Sequence, residues 1–341
     1  MRTIGCLLLL AVGTASAAEP VKPTMVELKA NILGEALDEF NKLFGQSLSL
    51  PDDKRNLAFQ HDASTSYWNT LLGFEKASRM RLSLVNTKPE LVKGKQSMAS
   101  VDGAFRLELT KVVSRMDFHT ERRDTEWTFE LQWEPKVPVL MMDAEPMVKK
   151  MDVKNAKVEF AKPTGKLLPR GMSQTLVLKS TGIPRTASVV EELQLSMDVV
   201  AAQNWLDFGF TDLTKTTDSK VDTSGVTAVC HPVKSKEKRT EFALSLTYPK
   251  DHPEFESFQQ WAVGNRLQLI SPDRSKVIEC HPDDSSVDTD GRNVRAVYSF
   301  PKSGTRGVDG GDWKGWKLGY RTPGPMVVQK LNFMFKELPL P

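Results

Sequence analysis

From Trp127 to Glu134 the chain reads WTFELQWE, and every second residue is apolar. Trp127, Phe129, Leu131 and Trp133 alternate with Thr128, Glu130, Gln132 and Glu134. Successive side chains of a strand point to opposite faces, so this run buries one face of a sheet and leaves polar groups on the other. A helix would need its apolar residues three and four apart. The same period of two recurs at Phe105, Leu107 and Leu109, then at Leu193, Leu195, Met197 and Val199. It returns at Phe242, Leu244, Leu246 and Tyr248, at Leu267 and Leu269, at Ala296, Tyr298 and Phe300, and at Leu331, Phe333 and Phe335. From Phe105 onward the expectation is mainly antiparallel sheet, arranged as two β-sandwiches over 104–213 and 226–341. Between them TKTTDSKVDTSG, residues 214–225, holds one apolar residue, Val221, and reads as a linker. A short helix is expected at Phe255–Val263, where Phe255, Phe258, Trp261 and Ala262 share a face.

The segment before Phe105 has a different rhythm. Leu33, Ala36, Leu37, Phe40, Leu43 and Phe44 follow one helix face, and Gly45 sits where a helix ends. Val26 with Leu28, and Leu48 with Leu50, alternate as short strands would. An offset of 34 residues aligns Leu48 with Leu82, Leu37 with Leu71 and Phe40 with Phe74. The expectation for 22–100 is therefore a duplicated β-α-β module, and for the whole chain an α+β fold.

The stretches ELKANILGEALDEFNKLFGQSLSL and LAFQHDASTSYWNTLLGFEKASRMRLSL resemble the short N-terminal domain of secretins and TonB-dependent receptors. That family repeats strand, helix, glycine-containing turn and strand; Arg79 stands where it usually has the second glycine. The resemblance implies protein–protein contact in the periplasm, and no secretin body or barrel follows in this chain. The features SYWNTLLGFEKAS, LQWEPKVPVL and LNFMFKELPLP also make the whole chain similar to an uncharacterised family of exported proteins of planctomycete bacteria.

The start of the chain agrees with export. Arg2 precedes an apolar stretch, Ile4 to Val12, that is too short to span a bilayer. Ala15-Ser16-Ala17 follows it, so residues 1–17 read as a signal peptide, and the periplasm or cell envelope as the destination. No transmembrane span is expected in the mature chain. With 46 basic against 43 acidic residues the protein is nearly neutral, which offers no field for holding nucleic acid.

Cys230 and Cys280 occur in two Cys-His-Pro triplets, VCHP and ECHP. A disulfide between them is the favoured reading in an oxidising compartment, worth roughly 4 kcal/mol by loop closure. Two buried thiols are the next reading. Zinc could count four ligands in Cys230, His231, Cys280 and His281. A residue before proline is held extended, however, which sends each Cys and its His to opposite sides. No metal and no cofactor are therefore assigned.

Other constellations read as surface. His119, Glu121 and Asp124 look like a charged hairpin. Asp283, Asp284, Asp288 and Asp290 lack the first and twelfth ligands of a calcium loop. The loop Gly304 to Tyr320 brings glycines together with Trp313, Trp316 and Tyr320. These three are the candidate contacts for a ligand or partner, against the alternative that the tryptophans fold onto the core. No nucleophile elbow, phosphate loop or H-E-x-x-H motif occurs. The expected function is a non-catalytic envelope protein making protein–protein contact or acting as a scaffold, its partner another envelope protein. The alternative is a carbohydrate-binding protein, or an unfamiliar hydrolase, that meets a glycan with the 304–320 loop.

Overall fold

The computed structural model describes residues 19–62, 64–85, 88–119, 122–154, 156–169, 171–249, 265–280, 285–289, 293–302, 307–308 and 313–341. The expected signal peptide and the expected helix at 255–263 lie outside them. The chain is mostly β, with twenty-four strands and three helices among the described residues. None of those helices is long and apolar enough to cross a membrane.

The first unit runs β1 (Met25–Val26), α1 (Leu33–Phe44), α2 (Asp52–Arg55), β2 (Thr65–Ser66), α3 (Tyr67–Ser78), β3 (Arg81–Val85) and β4 (Lys88–Val92). Leu33, Ala36, Leu37 and Phe40 of α1 share one core with Tyr67, Trp68, Leu71 and Phe74 of α3. Phe40 meets the Phe74 ring edge-on, with centroids 5.5 Å apart. Gly45 closes α1 in the left-handed conformation, φ 61°, which costs glycine nothing. Arg79 takes the same conformation, φ 55°, at the end of α3.

The duplicated β-α-β module, and with it the α+β class, is overturned. Leu48 and Leu50 are buried, yet they form no strand. The Asn41 amide explains this: its Nδ2 donates to the Leu48 carbonyl at 2.7 Å, and the Leu48 N–H donates to its Oδ1 at 2.9 Å. A side chain thus takes the two peptide groups that a ladder would need. Leu57 and Phe59 flank only an isolated bridge between Ile32 and Ala58. β1 pairs with β2 and β3 with β4, so two separate ladders replace the single small sheet.

The next strands are β5 (Met98–Asp102), β6 (Phe105–Asp117), β7 (Arg122–Trp133), β8 (Val139–Asp143), β9 (Met147–Asp152), β10 (Glu159–Phe160), β11 (Lys166–Leu167), β12 (Ser173–Thr181) and β13 (Val189–Ala202). After them come β14 (Trp205–Phe210), β15 (Ser219–Thr223), β16 (Val226–Cys230), β17 (Lys234–Ser235), β18 (Arg239–Thr247), β19 (Arg266–Ile270) and β20 (Val277–Glu279). The last four are β21 (Ser285–Thr289), β22 (Asn293–Pro301), β23 (Lys317–Pro323) and β24 (Met326–Pro339). Each alternating run named from Phe105 onward falls on one of these strands, with Tyr248 just beyond the end of β18.

Two sheets, β10-β12-β7-β6-β5 and β11-β8-β13-β24 with β9 also on β13, enclose one core. Trp127, Phe129, Leu131 and Trp133 meet Leu193, Leu195, Phe333 and Phe335 there. The free edge of β24 is capped by side chains of β5. Ser100 Oγ accepts the Met334 N–H at 3.0 Å, and Asp102 Oδ2 accepts that of Asn332 at 2.7 Å. A second layered pair, β14-β23-β19-β20 and β15-β16-β18-β22-β21 with β17 on β18, encloses another core.

The domain limits differ from the expected ones. Residues 214–225 are not a linker throughout, because Ser219–Thr223 is β15 and pairs along its length with β16. The second core begins with β14, just after Ala202. The C-terminal strand β24 leaves that core after Met326 and pairs with β13 over thirteen positions of the first.

The outer face of β6 and β7, expected to be wet, is dry where the first unit covers it. Arg106 and Gln132 are 0 % exposed and Glu108 2 %. The Arg106 guanidinium lies over the Trp68 ring at 6.0 Å, and Trp68 Nε1 donates to the Ala104 carbonyl at 2.9 Å. Glu108 accepts from Arg106 Nη1 at 2.9 Å and from Arg81 Nη2 at 3.0 Å. Glu134 completes the clasp by accepting the Thr24 N–H at 2.9 and 3.1 Å.

Burial holds the Glu134 carboxyl above its ordinary range, against the pull of the Thr24 contact. A carboxyl raised in the folded state binds its proton more tightly there than in the unfolded chain. Its contribution to stability is therefore complete below the unfolded value and is lost as pH rises through the folded one. Denaturant midpoints measured across mildly acid pH should fall more steeply with pH in the parent than in Glu134→Gln, which has no proton to lose. Equal slopes would remove Glu134 from this role.

Candidate functional site

Cys230 and Cys280 are not joined, and both are thiols; the expected disulfide is corrected. Each is held by its own sheet. Cys230 ends β16 between Ser219 and Leu244, whereas the Cys280 N–H bonds to Leu267 in the other sheet of the pair. Burial, with Asp218 nearby, pushes the Cys230 thiol up to about 11. The extended backbone does send neighbouring side chains apart. Cys230 faces the core, while His231 contacts Asp218 at 3.0 Å through Nδ1 and Ser245 Oγ at 2.7 Å through Nε2. His281 lies outside the described residues. Among those residues no three His, Cys, Asp or Glu side chains gather as metal ligands would.

The raised thiol has a chemical consequence. A thiol of pKa near 11 is almost wholly protonated at neutral pH and reacts slowly. Iodoacetamide should leave Cys230 unlabelled in the folded protein, and should label both Cys230 and Cys280 once denaturant is added without reductant. Mass spectrometry reads the adducts. Labelling that requires reductant would restore the disulfide.

Of the three candidate contact residues, Trp313 and Tyr320 are buried and Trp316 is half-buried. Trp313 is 9 % exposed and Tyr320 1 %, and both belong to the second core. Trp313 packs edge-on against Phe242 at 5.1 Å, and the half-buried Trp316 packs against Trp313 at 5.8 Å. Tyr320 faces inward because β23 alternates, with Leu318 and Tyr320 on the core side. Its hydroxyl accepts from Asn265 Nδ2 at 2.6 Å. Loop glycines near aromatics had suggested a platform, but the rings fill the core between the sheets.

A groove that no motif announced lies on the first unit. Its volume is about 780 Å3, and Pro23, Met25, Phe59, His61, Ser66 and Asn69 are among its lining residues. Val101 of β5 and Gly103 of the following turn close it on the sandwich side. Met25 is 54 % exposed and Phe59 only 3 %. The His61 ring lies 5.9 Å from Phe59, and its Nε2 meets Thr70 Oγ1 at 3.2 Å. His61 Nδ1 and Ser66 Oγ are buried and make no hydrogen bond among the described residues. Ser66 stands at the N-cap of α3 without a side-chain cap bond. The groove thus sets exposed Met25 and buried Phe59 among the polar residues Gln60, His61, Asp62, Ser64, Thr65 and Asn69.

No protein-family model matches the chain, and no curated protein matches it. Among solved structures, the crystal structure of the conserved domain protein from Bacillus anthracis is similar at 10% identity, with a TM-score of 0.20. That likeness covers 75% of this chain and 91% of the other. It is too slight to carry an argument about fold or function.

Proposed function

We propose that this is a non-catalytic exported protein of the cell envelope, acting through protein–protein contact, with the first unit as its contact module. The groove beside Met25 is the observation that carries this reading. It has an exposed apolar side chain on one wall, a buried aromatic beneath it and polar side chains around it, as a pocket for a partner's side chains would. The resemblance of this segment to the short N-terminal domain of secretins and TonB-dependent receptors, and the leader-like first residues, support the same reading. Trp313 and Tyr320 are buried and the half-buried Trp316 packs against Trp313, which favours this reading over a glycan platform or a hydrolase cleft on the 304–320 loop.

A photoreactive residue placed at Met25 should give a discrete adduct with one envelope protein. Asn69→Trp, which fills the groove from an exposed helix position, should abolish both the adduct and co-purification. An adduct that survives Asn69→Trp, or none at Met25, overturns the proposal.

A further inference from the structure

Asp218, His231 and Ser245 form a chain of hydrogen bonds on the outer face of the second sandwich. Ser245 Oγ lies 2.7 Å from His231 Nε2, and His231 Nδ1 lies 3.0 Å from Asp218 Oδ1. A carboxylate only accepts, so Nδ1 of the neutral ring carries the proton and donates to Asp218. Nε2 is then a bare acceptor, and the Ser245 hydroxyl donates to it. Each of the three stands one strand from the next. Asp218 immediately precedes β15, His231 follows β16, and Ser245 lies in β18, in the sheet order β15-β16-β18. Cys230 and Leu244 face the core, so His231 and Ser245 face outward. The His231 N–H donates to the Ala243 carbonyl at 2.9 Å, and the small side chain of Ala243 leaves the ring room to lean towards Ser245.

A hydroxyl bonded to a base, with the base held by a third group, is the arrangement that turns serine into a nucleophile. Ser245 also lines a cleft of about 390 Å3, together with Thr247, Asp288, Asn293 and Arg295. Arg295 is paired directly with Ser245 across β18 and β22, and Asp288 faces Arg295 from β21. A guanidinium has five N–H donors, enough for Asp288 and for a second acceptor. On its other side Ser245 is paired with Val229, and Val297 is paired with Ala243. The serine thus stands between a base and a cation, with only small apolar side chains beside it.

The geometry points to Ser245 as the nucleophile of a site that cleaves short-chain carboxylic esters. Ser245 Oγ bonds to the ester carbonyl carbon while its proton passes to His231 Nε2. Arg295 stabilises the carbonyl oxygen as it gains charge. Asp218 is a positioning residue: it fixes the tautomer and tilt of the ring. The bond from carbon to the alcohol oxygen then breaks, and the alcohol leaves with the proton from His231. Water attacks the acyl-serine and passes a proton through His231 to Ser245 Oγ, which frees the carboxylic acid and restores the serine. Val229, Ala243 and Val297 seat an acetyl group and offer no run of apolar surface for a long chain. Asp218 is more than half exposed, so its hold on the ring is weaker than a buried carboxylate's and the rate should be modest. This chemistry belongs to the second sandwich alone; the first unit keeps its contact role, and only that role is non-catalytic.

Labelling of the whole protein with a fluorophosphonate, read by mass spectrometry, tests the nucleophile. Ser245 Oγ should displace fluoride from phosphorus and carry the phosphonate. Ser245→Ala and His231→Gln should lose that adduct while keeping the parent's thermal midpoint. Hydrolysis of p-nitrophenyl acetate should fall tenfold or more in kcat/KM in Ser245→Ala, and the parent should cleave the palmitate ester far more slowly than the acetate. Asp218→Asn should lower kcat about tenfold with KM unchanged, and Asp218→Glu should recover part of the loss, a split that a purely structural aspartate would not give. Two outcomes overturn the site: the parent takes no phosphonate on Ser245, or folded Ser245→Ala cleaves the acetate ester as fast as the parent. The labelling of the parent decides the matter even where a variant fails to fold.

Discussion

Glu108→Leu should destabilise the protein by about 3–5 kcal/mol, the usual loss when one partner of a buried ion pair is removed. Arg106 is 0 % exposed and cannot turn to water. Without Glu108 its guanidinium keeps the Gln132 amide oxygen and the face of Trp68, and neither carries a compensating charge. The double variant Arg106→Met, Glu108→Leu should recover most of the loss, because two apolar side chains replace a desolvated pair. Chemical denaturation at neutral pH measures both. A single variant within about 0.5 kcal/mol of the parent, as surface positions behave, would mean that the first unit does not cover this face.

Trp313→Ala should cost about 3–5 kcal/mol, the range for removing a large aromatic from a core. The ring is 9 % exposed and stands edge-on to Phe242 and Trp316. A tryptophan held out for a ligand would show the opposite: stability unchanged within about 0.5 kcal/mol and a loss confined to binding. Denaturation followed by tyrosine and tryptophan fluorescence separates the two results. The outcome also decides whether the 304–320 loop belongs to the core or to a ligand surface.

The run from Trp127 to Trp133 could be read directly, since the pleat of a strand is local and alternation is its imprint. Gly45 was equally legible, because the left-handed end of a helix selects for glycine. Leu48 and Leu50 looked like a strand because they alternate, but the Asn41 amide, several residues earlier, had taken both peptide groups of Leu48. Cys230 and Cys280 looked like a pair by count, but Cys230 ends β16 and Cys280 follows β20, bonded to Leu267 of the other sheet, and both are thiols.

Neither candidate surface had a motif. The groove takes its walls from Met25, residues 59–62 and 64–66, Asn69, Val101 of β5 and Gly103. Such residues share no spacing, so no pattern along the chain could bring them together.

Order along the chain decided which residues become strands and which side of each strand is apolar, since both follow from the geometry of a few consecutive peptides. Packing decided the rest. It sent β24 to β13 instead of the nearer core, laid the first unit over Arg106 and Glu108, and turned Trp313 inward. Those outcomes depend on which distant surfaces exclude water together, and that free energy belongs to the assembled molecule, not to any short stretch of it.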